Sequence, residues 1–288
     1  MNDYLIRMTS KDGNLRAVAA VTTDLCETSR KMQGTDPTAT VALARMATGT
    51  ALLGALLKGD QRLAMIIEGN GPLQKLHAET DAAGHLRCSV KQPLAALPPR
   101  DNRFDVSGAV GRAGFLSVIK DLGLKDRYRG TVQLQTSEIG EDLAYYLTTS
   151  EQTPSSVSLG VSLSPSAEIQ AAGGLLVQAL PGCTEEILDT VEKQLMTLSS
   201  LSGEILAGKT PEQILTTLFG AIPFTLYERI PLAFRCNCNR KQIEGILLSL
   251  GQDELSATAS GDEPVSVTCE YCRKTYDFSP TEVAALLN

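Results

Sequence analysis

The chain is short of histidine, of basic charge and of long apolar runs, and each shortage removes a class of function. Its two histidines, His77 and His85, lie far from the cysteine-rich C-terminus, so they cannot complete a mixed cysteine–histidine site there. No apolar run approaches the roughly 20 residues that a bilayer span needs, so a membrane partner is not expected. The opening Met1-Asn2-Asp3-Tyr4 has neither a basic region nor an apolar signal core, so export is not expected either. With 26 Lys and Arg against 33 Asp and Glu the net charge is −7. Residues 184–230 carry three bases and seven acids and residues 231–288 carry five and eight, which leaves residues 1–183 neutral. Nucleic-acid binding draws on a basic surface, and an acidic C-terminal half argues against that partner. Nothing in the sequence assembles a nucleophile, a base and an oxyanion hole, so no catalytic residues are assigned.

What the chain does have is a cysteine pattern. Four of its seven cysteines fall in the last 53 residues as Cys236-Asn-Cys238 and Cys269-Glu-Tyr-Cys272, with 30 residues between the pairs. Two close thiol pairs that one small folded module can bring together are what a structural four-sulfur zinc site needs. Each pair is also spaced to close a short local disulfide. Cys26, Cys88 and Cys183 are scattered, and a secreted disulfide framework would be denser and more even. A reducing cytoplasm fits the pattern better, and there paired cysteines point to metal or redox chemistry. A thioredoxin-like reading of Cys269-x-x-Cys272 requires a following helix, whereas Arg273–Phe278 reads as a strand.

At 288 residues, 43% of them hydrophobic and 20% charged, the chain is an ordinary globular protein long enough for more than one domain. Residues 1–183 mix strand-like and helix-like segments. Strands are expected at 15–22, 62–68, 86–92, 115–121, 130–136 and 159–164. A helix from Asp36-Pro37 to about Lys58 is apolar nearly all round and therefore buried. A short helix is expected at 141–149. This is an α+β core with mostly antiparallel strands. Residues 184–230 read as a helical linker, with Thr184 capping one helix and Thr210-Pro211-Glu212-Gln213 opening another through a capping box. Residues 231–288 form the cysteine module. There Asn239 caps a helix carrying Ile243, Ile246, Leu247 and Leu250. Residues 252–264 read as a polar loop, 265–268 as a strand, and Ser279-Pro280-Thr281-Glu282 as the capping box of a last helix.

Several other patterns are set aside. Gly203-Glu-Ile-Leu-Ala-Gly208-Lys209-Thr210 matches the phosphate-loop spacing. However, the text before it is helical, and Pro211 removes an amide just after Thr210. Gly69-Asn-Gly71-Pro72 and Gly111-Arg-Ala-Gly114 read as turns. Glu138, Glu141, Asp142 and Glu151 read as surface or capping carboxylates, and Cys26, Cys88 and Cys183 as small core or partly exposed residues.

The small size of the module gives a metal there large consequences. Structural zinc supplies about 10–16 kcal/mol of apparent binding free energy, which in such modules is folding free energy. A whole domain is stable by only about 5–15 kcal/mol. Disulfides across two tiny loops would restore little of that loss. Spacing alone leaves open whether the site is a staple or a sensor.

Blocks outside the module bear on that choice. Ser137-Glu-Ile-Gly-Glu-Asp-Leu-Ala-Tyr-Tyr146, Ser150-Glu-Gln-Thr-Pro-Ser155, Ala171-Ala-Gly-Gly174 with Gln178 and Pro181-Gly182, and Pro231-Leu-Ala-Phe234-Arg before the cysteines occur in that order. In these blocks the chain resembles, over essentially its full length, the redox-regulated thirty-three-kilodalton heat-shock chaperones of bacteria. The resemblance implies a cytoplasmic, ATP-independent holdase that is quiet when reduced and zinc-bound. On oxidation it would bind unfolding client proteins and tend to form a homodimer. It implies Cys236, Cys238, Cys269 and Cys272 as ligands of one Zn²⁺, and Cys236–Cys238 and Cys269–Cys272 as the disulfides of the oxidised form. Arg273 stands where glycine is common in the family, so a slightly different turn is expected there. The rival reading is a zinc-ribbon module whose metal is purely structural and which binds nucleic acid or a protein partner. A third is a thiol–disulfide oxidoreductase, which needs an exposed thiol of low pKa and turnover.

Overall fold

The structure, a computed structural model, describes residues 2–100, 103–220, 222–249, 251–261 and 263–287. The chain divides into two compact units, Met1–Phe234 and Arg235–Asn288.

The first unit begins β1 (Tyr4–Ser10), β2 (Leu15–Val21), α1 (Thr23–Gln33), α2 (Pro37–Gly54), β3 (Arg62–Gly69), β4 (Lys75–Asp81) and β5 (His85–Val90). It continues with α3 (Val106–Val110), β6 (Gly114–Asp121), β7 (Tyr128–Gln133), α4 (Ile139–Thr149), β8 (Ser155–Leu163) and β9 (Ile169–Ala179). It ends with α5 (Glu185–Met196), α6 (Leu201–Leu206), α7 (Pro211–Phe219), β10 (Phe224–Pro231) and β11 (Ala233–Phe234). One sheet has the order β10-β1-β2-β9-β8 and the other β11-β5-β4-β3-β6-β7. Every pairing is antiparallel except the short β11 beside β5. The architecture is the expected α+β one.

The core forms around α2. Asp36 caps it by accepting from the Ala39 amide, and Pro37 stands in its first turn. Small residues let both sheets approach it closely. A Cβ on Gly54 would lie 2.8 Å from Thr80 Cγ2 of β4, and one on Gly174 of β9 would lie 2.7 Å from Thr48 Cγ2. The helix is buried nearly all round, as its composition implies. It ends at Gly54 rather than at Lys58, because Leu56 and Leu57 turn back onto the carbonyls of Leu53 and Gly54, and Arg7 Nη1 donates to the Ala55 carbonyl.

The other face of the five-stranded sheet carries a second core. Ile6, Leu15, Ala17, Ala19, Val21, Ala171, Leu175 and Val177 from the strands pack with Val191, Leu201, Ile205, Ile214, Leu215, Leu218 and Phe219 from α5–α7. Thr210 and Gln213 form the expected capping box on α7, whereas the Thr184 side chain makes no capping hydrogen bond on α5. Residues 224–230, expected in the helical linker, belong instead to β10, which runs on to Pro231 and is hydrogen-bonded along β1. The β1 and β9 strands also went unread, because Gly173-Gly174 and the mixed polarity of Tyr4–Ser10 obscure their alternation.

The second unit holds α8 (Arg240–Leu248), α9 (Gln252–Ala259), β12 (Val265–Thr268), β13 (Thr275–Phe278) and α10 (Pro280–Ala285). Asn239 caps α8 by accepting from the Gln242 amide, and Ser279 and Glu282 form the capping box of α10. Leu250 lies outside the described residues. Gln252–Ala259 is a helix and not the expected loop. It is polar along most of its length, so periodicity did not reveal it, but Leu255 anchors it in a core of Ile243, Leu247, Tyr276, Phe278 and Val283.

Candidate metal centre

Cys236 and Cys238 lie in the irregular segment just before α8, and Cys269 and Cys272 in the turn that joins β12 to β13. Pairing of Thr268 with Thr275 sets the mouth of that turn. Within it the Cys269 amide donates to the Lys274 carbonyl (2.9 Å) and the Arg273 amide to the Cys269 carbonyl (3.0 Å). Arg273 holds φ at +58°, in the left-handed region that favours glycine, so the turn is closed by strain at Arg273.

These segments bring the four sulfurs within 4.8 Å of one another. Cys236 Sγ lies 3.7 Å from Cys269 Sγ, and Cys238 Sγ lies 3.3 Å from Cys272 Sγ. A regular tetrahedron of sulfurs about 2.3 Å from a central zinc has edges of about 3.8 Å, so the arrangement is close to that of a four-thiolate site. A disulfide requires about 2.05 Å, and none of the seven cysteines is disulfide-bonded.

The electrostatics of the cluster also call for a cation. Burial opposes ionisation of Cys238, but hydrogen bonds from Tyr276 and the neighbouring thiols outweigh it and bring its pKa down to about 7. Cys272 is pushed up to about 12, first by burial and then by the other three thiols, and burial likewise raises Cys269. One thiolate forms readily and then resists the others, so four together require a positive charge among them. The donor set and geometry therefore fit one soft, tetrahedral metal ion.

Tyr276 was not singled out from the sequence. Its hydroxyl lies 3.2 Å from Cys238 Sγ and donates to the Cys238 carbonyl at 3.0 Å, while its ring packs in the module core. Its alternation with Phe278 on β13 was the available signal. The other sequence candidates belong to the first unit. His77 and His85 are on β4 and β5 beside Glu79 and Asp81. Cys26 and Cys88 are buried, with burial raising both thiols, and Cys183 is half-buried.

The phosphate-loop spacing is accidental. Gly203–Leu206 is α-helical, Ile205 is buried, Lys209 pairs with Glu204, and Thr210 caps α7. Among the carboxylates, Glu138 pairs with Arg45, and Glu151 accepts from Tyr146 and pairs with Lys120. Asp142 is fully buried and accepts from the Gln135 and Thr136 amides, so it ties a loop to α4 and is not a surface group.

The family model for Hsp33 protein matches residues 3–279. A protein of Syntrophotalea carbinolica named 33 kDa chaperonin is 55% identical over the full length of both chains. One of the same name from Geobacter sulfurreducens is 47% identical, covering 99% of this chain and 95% of its own. The crystal structure of the 33 kDa chaperonin, heat shock protein 33 homolog, of Thermotoga maritima superposes with a TM-score of 0.92 at 32% identity. That match covers 100% of this chain and 98% of the other.

Proposed function

The chain belongs to the Hsp33 family, and from that premise we propose that it is an ATP-independent holdase switched on by oxidation of a four-cysteine zinc centre. The observation that carries the reading is the cluster of four cysteine sulfurs at near-tetrahedral spacing, without a disulfide, in a module with a small core of its own. Cys236, Cys238, Cys269 and Cys272 would hold one Zn²⁺ in the reduced state. When bound, the ion would supply about 10–16 kcal/mol of the module's folding free energy. Oxidation of a pair would take two electrons from its two thiolates, form one S–S bond and, with two protons from solvent, reduce one hydrogen peroxide to two waters. The pairs would be Cys236–Cys238 and Cys269–Cys272. In the reduced geometry Cys236 and Cys238 each lie against a sulfur of the other pair, so this pairing requires the turn and the segment before α8 to rearrange.

The second core suggests what such a change can release. The face of the five-stranded sheet turned away from α2 and the facing sides of α5–α7 are both apolar and cover each other. Separated, they would present two hydrophobic surfaces of the kind that unfolding clients bind. The reading divides the chain into a core domain (1–183), a linker (184–230) and a redox-switch domain (231–288). It places the protein in the cytoplasm, with unfolded clients and, when oxidised, a second copy as partners, and with no enzymatic turnover. Its relatives are named as chaperonins, and among the described residues no helix is long and apolar enough to cross a membrane. The acidic C-terminal half speaks against nucleic acid.

Zinc release on peroxide treatment, followed by aggregation of a heat-unfolded client, tests the proposal. The oxidised, zinc-free protein should suppress aggregation and the reduced protein should not. Equal suppression by both forms would leave a staple, as in the zinc-ribbon reading. Cys238→Ser should abolish stable zinc binding, and unchanged affinity would refute the ligand assignment.

A further inference from the structure

Two glycine-rich turns that the cysteine chemistry does not use interlock at one end of the six-stranded sheet. The Asn70 amide donates to the Ala113 carbonyl (2.9 Å), the Gly71 amide to the Val110 carbonyl (2.9 Å), and the Leu73 amide to the Ala109 carbonyl (3.0 Å). The Ala113 amide in turn donates to Asn70 Oδ1 (3.1 Å). The fit leaves no room for side chains. A Cβ on Gly71 would lie 2.4 Å from the Ala109 carbonyl oxygen, and one on Gly111, whose φ is +92°, would lie 2.1 Å from Gly71 N. The clasp anchors α3, whose Val106, Ala109 and Val110 are buried in the main core.

The residues in this clasp are also the chain's one Asn-Gly pair. Asn2, Asn14, Asn102, Asn237 and Asn239 are all followed by residues with side chains, and Asn288 is the last residue given. An asparagine followed by glycine is chemically labile, because an unhindered glycine nitrogen can reach the side-chain carbonyl. We propose that Asn70 is a deamidation site guarded by the fold, which reacts only after the clasp between residues 69–73 and 109–114 opens. In the reaction Gly71 N loses its proton and attacks Asn70 Cγ, forming an N–C bond as the C–N bond to the side-chain nitrogen breaks and ammonia leaves. Water then opens the succinimide to aspartate or isoaspartate. No oxidant or reductant is needed.

The closed clasp blocks this at three points. The attacking N–H is engaged by Val110, Asn70 Oδ1 is held by Ala113, and hydrogen bonds on both sides of the Asn70–Gly71 bond fix the backbone rotation that ring closure requires. Exposure of Asn70 does not substitute for that rotation. The two products have different consequences. Aspartate keeps the acceptor for Ala113. Isoaspartate adds a methylene to the main chain, so the bonds to Val110 and Ala113 cannot both be remade. A molecule whose clasp has opened for long enough would therefore carry a permanent mark of it. The clasp lies outside the segments that the redox proposal opens, so oxidation alone should leave Asn70 intact.

The test is peptide mass analysis of the full chain after incubation at mildly alkaline pH in three states: reduced, peroxide-oxidised, and unfolded in urea. The peptide spanning Asn70 should gain the mass of one deamidation in urea, and at least about tenfold more slowly in the reduced and oxidised folded states. An Asn70→Gln variant should stay unmodified in urea. Equal rates in urea and in the reduced protein would overturn the guarding role of the clasp. No reaction in urea would overturn the site itself, whatever the outcome for the redox switch.

Discussion

Replacing Ile205 by alanine should loosen helices α5–α7 while leaving the cysteine centre untouched. Ile205 is one of the two buried residues of the short helix α6. It is 8% exposed, and its Cδ1 occupies the space a side chain on Gly173 would take, 2.4 Å from that position. Truncating a buried isoleucine costs about 2–5 kcal/mol, and here the loss falls on docking of α6, whose only other deeply buried residue is Leu201. A loss of about 3 kcal/mol multiplies an open population by roughly 150. If the closed state is favoured by about 5.5 kcal/mol, the open fraction rises from about one in 10⁴ to about one in 100. Amide hydrogen exchange of residues 184–220 in the reduced protein reads this directly, with suppression of client aggregation as the functional assay. Exchange should quicken and the reduced variant should gain partial holdase activity. Met196→Ala, at a position 83% exposed, should change neither. Unchanged exchange in Ile205→Ala would refute the docking argument. Faster exchange with no gain in suppression would show that the covered apolar faces are not what clients bind.

Three further outcomes follow from the same structure. Chelation of the metal should unfold residues 235–288, with the loss of about 10–16 kcal/mol of support, while the first unit stays folded. Nuclear magnetic resonance would show collapse of the Phe278 and Val283 signals, and a module that stays folded without metal would refute the dependence. Arg273→Gly should remove a left-handed strain of about 1–2 kcal/mol, partly offset by the unfolded-state freedom of glycine. The variant should hold zinc somewhat more tightly against a competing chelator, and weaker retention would count against the strain. Burial raises the Asp3 carboxyl to about 6, opposed by hydrogen bonds from the amides at the start of α1. A raised folded pKa favours the protonated native state, so this contribution, up to about 3 kcal/mol, is complete below about pH 3.8 and lost as pH rises through 6. Asp3→Asn keeps an acceptor for the Leu25 amide and should flatten that part of the urea stability profile between pH 4 and 7; a parallel profile would rule the assignment out.

The elements that could be read in advance are those whose signal is local. Asp36-Pro37, Thr210 with Gln213, Asn239, and Ser279 with Glu282 all cap helices where their side chains can reach the first-turn amides. Strands rich in large and β-branched apolar residues, such as β3 and β6, are also legible. Two of the strands that the sequence does not announce owe their existence to neighbours. Ala171-Ala-Gly-Gly174 carries no strand signal of its own, because its small residues are there to admit Thr48 and Leu52 of α2 on one face and Ile205 on the other. β10 exists because β1 offers it an edge, and α9 because Leu255 finds a core.

The same division holds for function. Residue identity and spacing alone determined that four thiols would meet, because two tight pairs in a small module leave few ways to fold, and that neither histidine would join them. Spacing could not say how the thiols share charge, since that depends on burial and on the Tyr276 hydroxyl, which folding brings beside Cys238. Nor could it show that α5–α7 cover an apolar sheet face. That depends on which surfaces meet in three dimensions, and hydrophobic burial is non-directional, so the sequence of either surface does not name the other.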